Sequence, residues 1–184
     1  PGIVFNVKRP IVKVEDLTGL KFRVGGGMVN DMAKALNMNA TLKPAPDSYE
    51  LLSSGVMDGT LFPAESTESF KIDKIIKHAT TFPGGLYNTS FVFMMNQGKY
   101  EKLSPEDKKA VDEISGETAA RIFGRGWDKV DRRAFALMQV NNVLVTKADA
   151  KFVADVKSKT QSLEQNWIAA SKAKGLQDPA KVLA

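Results

Sequence analysis

Apolar and polar positions along the chain follow two periods, one of 2 and one near 3.6, and the change from one to the other falls at glycines and prolines. The sharpest change lies in residues 17–37. There an apolar run ends at Arg23-Val24, Gly25-Gly26-Gly27 follows, and Met28, Met32, Ala35 and Leu36 recur at helical spacing, which predicts strand, glycine turn and helix. Residues 40–43, stopped by Pro44 and Pro46, predict a second strand and complete a βαβ unit. On the first of these strands, alternation points Phe22 and Val24 away from Arg23.

The same reading extends over the rest of the chain. Residues 1–14 are rich in β-branched side chains and predict an extended strand or connector that turns at Arg9-Pro10 and leans on something outside the chain. A turn is expected at residues 15–19. Asp47 with Glu50 predicts the start of a short helix through Leu51 and Leu52 that stops at Gly55. Residues 56–63 predict a turn and a brief strand ended by Pro63, and residues 64–76 a short helix or two turns facing Phe70, Ile72, Ile75 and Ile76 inward. After a loop at 81–85, residues 87–95 (YNTSFVFMM) form the most strand-like run, with Tyr87, Thr89, Phe91, Phe93 and Met95 on one face. Ser104-Pro105 starts a helix whose pattern persists to about Gln139, roughly 50 Å at 1.5 Å per residue. Such a helix either crosses two lobes or breaks near Gly124 and Gly126. Residues 143–145 predict a short strand, and Thr146 with Asp149 caps a last helix that carries Phe152, Val156, Leu163, Trp167 and Ile168 to Gly175. Trp127 and Trp167 are read as core or lobe-contact residues rather than ligand stacks.

Composition narrows the chemistry. With 184 residues and 43% hydrophobic content the chain suits one good domain or two small lobes. No run approaches the roughly 18 apolar residues of a membrane span, so the chain is not expected to span a membrane. No basic-then-apolar leader opens it, so any export signal is expected upstream or already removed. The absence of cysteine excludes disulfides and thiolate chemistry. The net charge of +5 comes mostly from residues after Gly98, where basic and acidic side chains alternate; without a clustered basic stripe, nucleic acid is not an expected partner. His78 is the only histidine, which rules out a histidine metal cluster and reads as structural. No paired-carboxylate or nucleophile–base spacing stands out: Asp58 sits in a turn, and Glu65 and Glu68 lie one helical turn apart as solvated carboxylates do. No cofactor is implied, and the chain is not read as an enzyme.

The glycine turn is the remaining candidate. Bare glycine backbone, free N–H groups at a helix start and the guanidinium fork of Arg23 together suit an anion. A purely structural turn with a surface arginine fits the same residues. A dinucleotide fingerprint fits poorly, because Asn30 stands where the third glycine is needed, and no Gly-Lys-Ser/Thr makes a Walker loop.

Taken in order, DLTGLKFRVGGG, PAPDSYELLSSGVMDGTLFP, GGLYNTSFVFMMN and KLSPEDKKAVDEISGE resemble the solute-binding proteins of tripartite ATP-independent periplasmic (TRAP) transporters, DctP type, over nearly the whole chain. The resemblance implies an α/β, periplasmic-binding-protein-like two-lobed fold, here the second lobe plus a long lobe-spanning helix. Residues 1–87 with 128–184 would form the second lobe, and 88–127 a remnant of the first lobe and the start of the long helix, with a first-lobe segment missing before Pro1. It also implies a periplasmic protein that captures a small organic acid and works with TRAP membrane permease subunits. The family's carboxylate-binding arginine falls on Arg23, and Gly25, Gly26 and Gly27 follow it toward the ligand. Phe62 stands where members similar to sialic-acid binders often have asparagine, and their second, upstream arginine falls near Ile3. Both departures imply a less polar ligand, an aromatic acid or a short α-keto or α-hydroxy acid. Tyr87 and Asn88 are placed at the cleft. An α/β enzyme acting on an anionic substrate and a small-molecule-sensing regulator domain are the alternative readings.

Overall fold

The structure, a computed structural model, describes residues 1–183. Six four-residue strands form one sheet: β1 (Ile3–Asn6), β2 (Lys21–Val24), β3 (Asn39–Leu42), β4 (Gly59–Phe62), β5 (His78–Thr81) and β6 (Leu144–Lys147), in the order β3-β2-β4-β1-β5-β6. β2 runs parallel to β3 and β4, and β5 parallel to β6. β1 alone is antiparallel to its neighbours, with Ile3 opposite Phe62 and Val4 opposite both Leu61 and Thr80. The first residues therefore lean on strands of this same chain, which corrects the expectation that they need an outside support.

Helices cover both faces, so the central strands are buried on each side and read as apolar runs. On one face Val4, Phe22, Val24 and Leu61 pack with Met32 and Ala33 of α1 (Met28–Ala35), with Leu36 at its C-cap, and with Phe152 and Val156 of α7 (Ala150–Ala173). On the other, Ile3, Phe5, Phe62 and Ala79 pack with Leu52 of α2 (Ser48–Ser53), with Ile72 and Ile76, and with Ala134 and Met138 of α6 (Glu117–Val140). Alternation thus sorts neighbours such as Val4 and Phe5 into different cores. Asn6 ends β1 by accepting from the N–H groups of Lys8 (2.9 Å) and Arg9 (3.0 Å), a side-chain turn that sends the chain away from the sheet.

The βαβ unit of residues 21–42 forms as its pattern predicts. Four other expectations change. Residues 87–95 form no strand: past Tyr87 the segment finds no pairing strand among the described residues, and Phe91 (69% exposed) and Phe93 (86% exposed) lie on its surface. High β-propensity records a fit to a pleated surface, and here there is none to join. The long helix breaks at Ser115-Gly116, separating α5 (Pro105–Ile114) from α6, because Gly116 adopts φ +59°; Gly124 and Gly126 stay helical inside α6. β5, His-Ala-Thr-Thr, falls where no strand was expected, because four residues with two threonines carry little apolar signal. Finally, Asp149 alone caps α7, accepting from the Phe152 N–H at 2.7 Å, while Thr146 belongs to β6. Three short helices, α3 (Ser66–Ser69), α4 (Gln97–Glu101) and α8 (Pro179–Leu183), and two 3-10 turns, Val14–Leu17 and Ala45–Asp47, complete the described elements.

Gly59 lets the centre of the sheet close. A Cβ there would lie 2.5 Å from the Phe5 carbonyl oxygen and 2.5 Å from the Phe22 ring, and the backbone atom cannot step aside. Gly59→Ala is therefore expected to lower stability by about 1–3 kcal/mol, the usual cost of overpacking a core, read as a lower urea midpoint with an unchanged slope.

Candidate functional site

Arg23 follows Phe22 on β2 and so faces the opposite side of the sheet, as alternation requires. It is only 4% exposed. Its Nε donates to the Lys43 carbonyl at 2.8 Å, just beyond β3, where Lys43 is itself tied to the Val24 carbonyl through its own N–H (3.2 Å). The guanidinium carbon lies 4.5 Å from the centroid of the Phe62 ring, a cation–π contact. Among the described residues its two terminal nitrogens make no hydrogen bond and no ion pair. Burial pulls its pKa below the ordinary value, with Tyr87 and Asp47 pulling the other way, and a guanidinium in such a place stays charged. The fork is thus held by one edge with its other nitrogens free.

Arg23 borders a cleft of about 410 Å³, a volume suited to a small ligand. Gly25 and Gly26 line it beside Arg23. Phe62 stacks on Phe70 (5.1 Å between centroids, 22° between planes) as one aromatic wall, and Phe91 stacks on Trp127 of α6 (5.4 Å, 19°) as another. Tyr87 is half-buried on the rim, its backbone accepting from the Gly2 N–H at 2.7 Å, and burial pushes its phenol up to about 12, with Arg23 pulling it back. Glu65, Ser66 and Thr89 supply the other polar groups.

The C-terminal half of α6 fixes the wall that carries Phe62 and Phe70. Asp131 accepts from the Glu65 N–H (3.1 Å), Arg133 pairs with Glu68 (2.6 Å), and the Asn141 amide donates to the Asp73 carbonyl and carboxylate (3.1 Å each). The segment 64–73 has little regular structure of its own, so these long-range bonds set its position.

The structure brings Arg23, Gly25, Gly26, Phe62 and Tyr87 to one cleft. Gly27 is the N-cap of α1 with φ +66° and lies outside the lining. Asn88 also lies outside, lining a neighbouring cavity of about 270 Å³ and donating to the Gly84 carbonyl at 3.3 Å. Sequence reasoning missed Phe70, Phe91 and Trp127 as lining residues. Trp127 shares its helix face with Phe123 and Val130, and that apolar patch on a helix otherwise rich in charge was the available signal. Glu65, read from spacing as solvated, is half-buried at the cleft. His78 lies away from it at the start of β5, and burial lowers its pKa. Among the described residues no cluster of His, Cys, Asp and Glu could hold a metal ion, and no helix is long and apolar enough to cross a membrane.

Comparison with known proteins converges on one family. The model of bacterial extracellular solute-binding protein family 7, DctP, matches residues 3–170. A TRAP periplasmic solute-binding protein from Bordetella bronchiseptica, solved with bound (R)- and (S)-mandelate, is 44% identical with a TM-score of 0.88, covering 98% of this chain and 57% of that one. A marine metagenome TRAP solute-binding protein specific for aromatic acid ligands, in complex with metahydroxyphenylacetate, is 33% identical with a TM-score of 0.89 and the same coverage. One from Rhodoferax ferrireducens, with copurified benzoate, is 26% identical with a TM-score of 0.89 and covers 100% of this chain and 57% of that one. Among curated proteins, the outer membrane transporter protein TsaT of Comamonas testosteroni is 25% identical over 177 residues, 96% of this chain and 52% of its own length. The chain thus spans just over half the length of these relatives. Its sheet, its helices and its sequence along residues 3–170 make it a member of the DctP family of TRAP solute-binding proteins.

Proposed function

We propose that this chain supplies one wall of the ligand cleft of a periplasmic solute-binding protein, which captures a small aromatic carboxylic acid and hands it to TRAP membrane permease subunits without chemical change. The observation that carries this reading is the state of Arg23: buried, still charged, anchored through Nε, and with its terminal nitrogens free toward an aromatic-walled cleft. A carboxylate forming two parallel bonds to the fork satisfies that geometry and compensates the buried charge. Phe62 and Phe70 on one side, and Phe91 and Trp127 on the other, offer the apolar body of the ligand two ring faces. The backbone of Gly25 and Gly26 and the Tyr87 phenol complete the polar end. Mandelate, benzoate and metahydroxyphenylacetate, found in the relatives, each combine one carboxylate with one ring, which agrees with this lining.

The same reading assigns residues 1–87 and 128–184 to the second lobe, and 88–127 to a first-lobe remnant with the start of the lobe-spanning segment. The unpaired strap after Tyr87 and the exposed apolar side chains of Ile122 and Phe123 support this division, since both offer surface for further structure.

Two measurements test the site. In calorimetric titration with benzoate or mandelate, Arg23→Ala is expected to weaken binding about 10- to 100-fold, the worth of a charge-assisted pair of bonds, and Arg23→Lys to lose most of the same amount because an ammonium cannot form the fork. Unchanged affinity in both variants would remove the assignment. The Tyr87 phenol, raised to about 12, stays protonated well past the range where an ordinary tyrosine ionises and would repel a carboxylate. Affinity is therefore expected to stay level from pH 7 to pH 10, and Tyr87→Phe to weaken binding by about tenfold or more at every pH in that range, the worth of one hydrogen bond to a charged acceptor.

A further inference from the structure

Glu65 is the one acidic side chain lining the cleft, and the carboxylate-site reading leaves it without a role. Its backbone is pinned to α6 through Asp131, so the residue does not drift with the loop that carries it. Its carboxylate is fixed as well: Ser66 Oγ donates to Oε1 at 2.6 Å and Ser69 Oγ to Oε2 at 2.9 Å. A carboxylate has about four acceptor directions, and these hydroxyls take two. Among the described residues no cation pairs with it.

Its place along the cleft is also defined. Arg23, Gly25 and Gly26 line only this cleft, whereas Glu65 and Trp127 also border a neighbouring hollow on α6 formed by Ile122, Phe123 and Val130. The guanidinium therefore marks the glycine-turn end and Glu65 the α6 end, with the ring faces of Phe62, Phe70 and Trp127 along the cleft. A ligand that fills this cleft with its carboxylate on Arg23 lies in the same space as Glu65, a fixed anion with acceptor capacity to spare.

We propose that Glu65 determines specificity in this cleft: it accepts a hydrogen bond from a hydroxyl on the ligand's ring and repels a second carboxylate, so that the site selects hydroxylated aromatic monocarboxylates over aromatic dicarboxylates. This rests on the reading of Arg23 as the carboxylate anchor. The selectivity is a difference of two contacts of opposite sign at one side chain, an attractive one for the donor and a repulsive one for the like charge. Glutamine has the same shape and no charge; it keeps one acceptor oxygen and turns the other into an amide donor, toward which one serine hydroxyl must rotate to accept, and Glu65→Asp, which keeps the charge and both acceptors, separates the loss of charge from that exchange.

The experiment is calorimetric titration of the purified protein and its Glu65→Gln and Glu65→Asp variants with benzoate, 3-hydroxybenzoate and isophthalate, after thermal unfolding has shown that the variants fold. In the parent protein 3-hydroxybenzoate is expected to bind more tightly than benzoate, and isophthalate at least tenfold more weakly than benzoate. Glu65→Gln is expected to raise isophthalate affinity about tenfold relative to benzoate and to reduce the preference for 3-hydroxybenzoate over benzoate; Glu65→Asp is expected to keep the rejection of isophthalate. The three acids binding Glu65→Gln with the same affinities as the parent would overturn the role of Glu65 and leave Arg23 in place. A parent protein that binds none of the three acids would overturn the carboxylate reading itself, and this proposal with it.

Discussion

A guanidinium taken almost wholly out of water is the constraint around which the rest of this molecule is arranged. Charge in a low-dielectric setting is costly unless it is paired, and Arg23 has only a carbonyl bond and the face of Phe62 to offset that cost. The neighbouring structure makes the arrangement tolerable and keeps it incomplete. β3 lies beside β2 in parallel register, so the chain leaving β3 presents the Lys43 carbonyl to one edge of the fork. β4 lies on the other side and ends in Phe62, whose ring fills the space a hydrophilic residue would have wetted. What is left over is a pair of donors without protein partners, on a residue that lines the cleft.

The aromatic surfaces around that space are held by means other than regular secondary structure. Phe62 ends a strand, yet Phe70 follows only a single helical turn and is kept in place by Asp131 and Arg133 of α6 and by Asn141 at its C-cap, each of which bonds to the 64–73 segment. Phe91 lies on an unpaired strap and is kept by stacking on Trp127 of the same helix. One helix thus fixes both aromatic walls, while the sheet fixes the charged end. The polar and apolar halves of the cleft depend on different elements brought together by tertiary contact.

This division explains how much could be read from the sequence. The charged end was legible because it is local: strand period, glycine turn and helix period adjoin in residues 21–35, and alternation alone turns Arg23 away from Phe22 and Val24. The aromatic end was not, because Phe70, Phe91 and Trp127 come from three distant segments and meet only after folding. The strap at residues 87–95 misled for a related reason. Its alternating aromatic and β-branched residues state a preference for an extended backbone, and whether that backbone becomes a strand depends on a neighbour its own sequence does not contain. Gly116 and the pair Gly124 and Gly126 show the same limit in a helix: three glycines look alike in sequence, and only the one at φ +59° ends it.

The antiparallel strand at the middle of the sheet has a consequence for the order in which the molecule assembles. β1 is made of the earliest residues in this chain, but both of its partners lie far along it, and β6 at the sheet edge is drawn from much later still. Closing such loops costs entropy before any contact repays it, so β2, α1 and β3 can organise as a local unit while the central slot waits for β4 and β5. α6 can fix the 64–73 segment only once that sheet exists. The cleft draws on the local unit, on the distant strands and on α6 together, so its shape depends on long-range contacts rather than on any one segment.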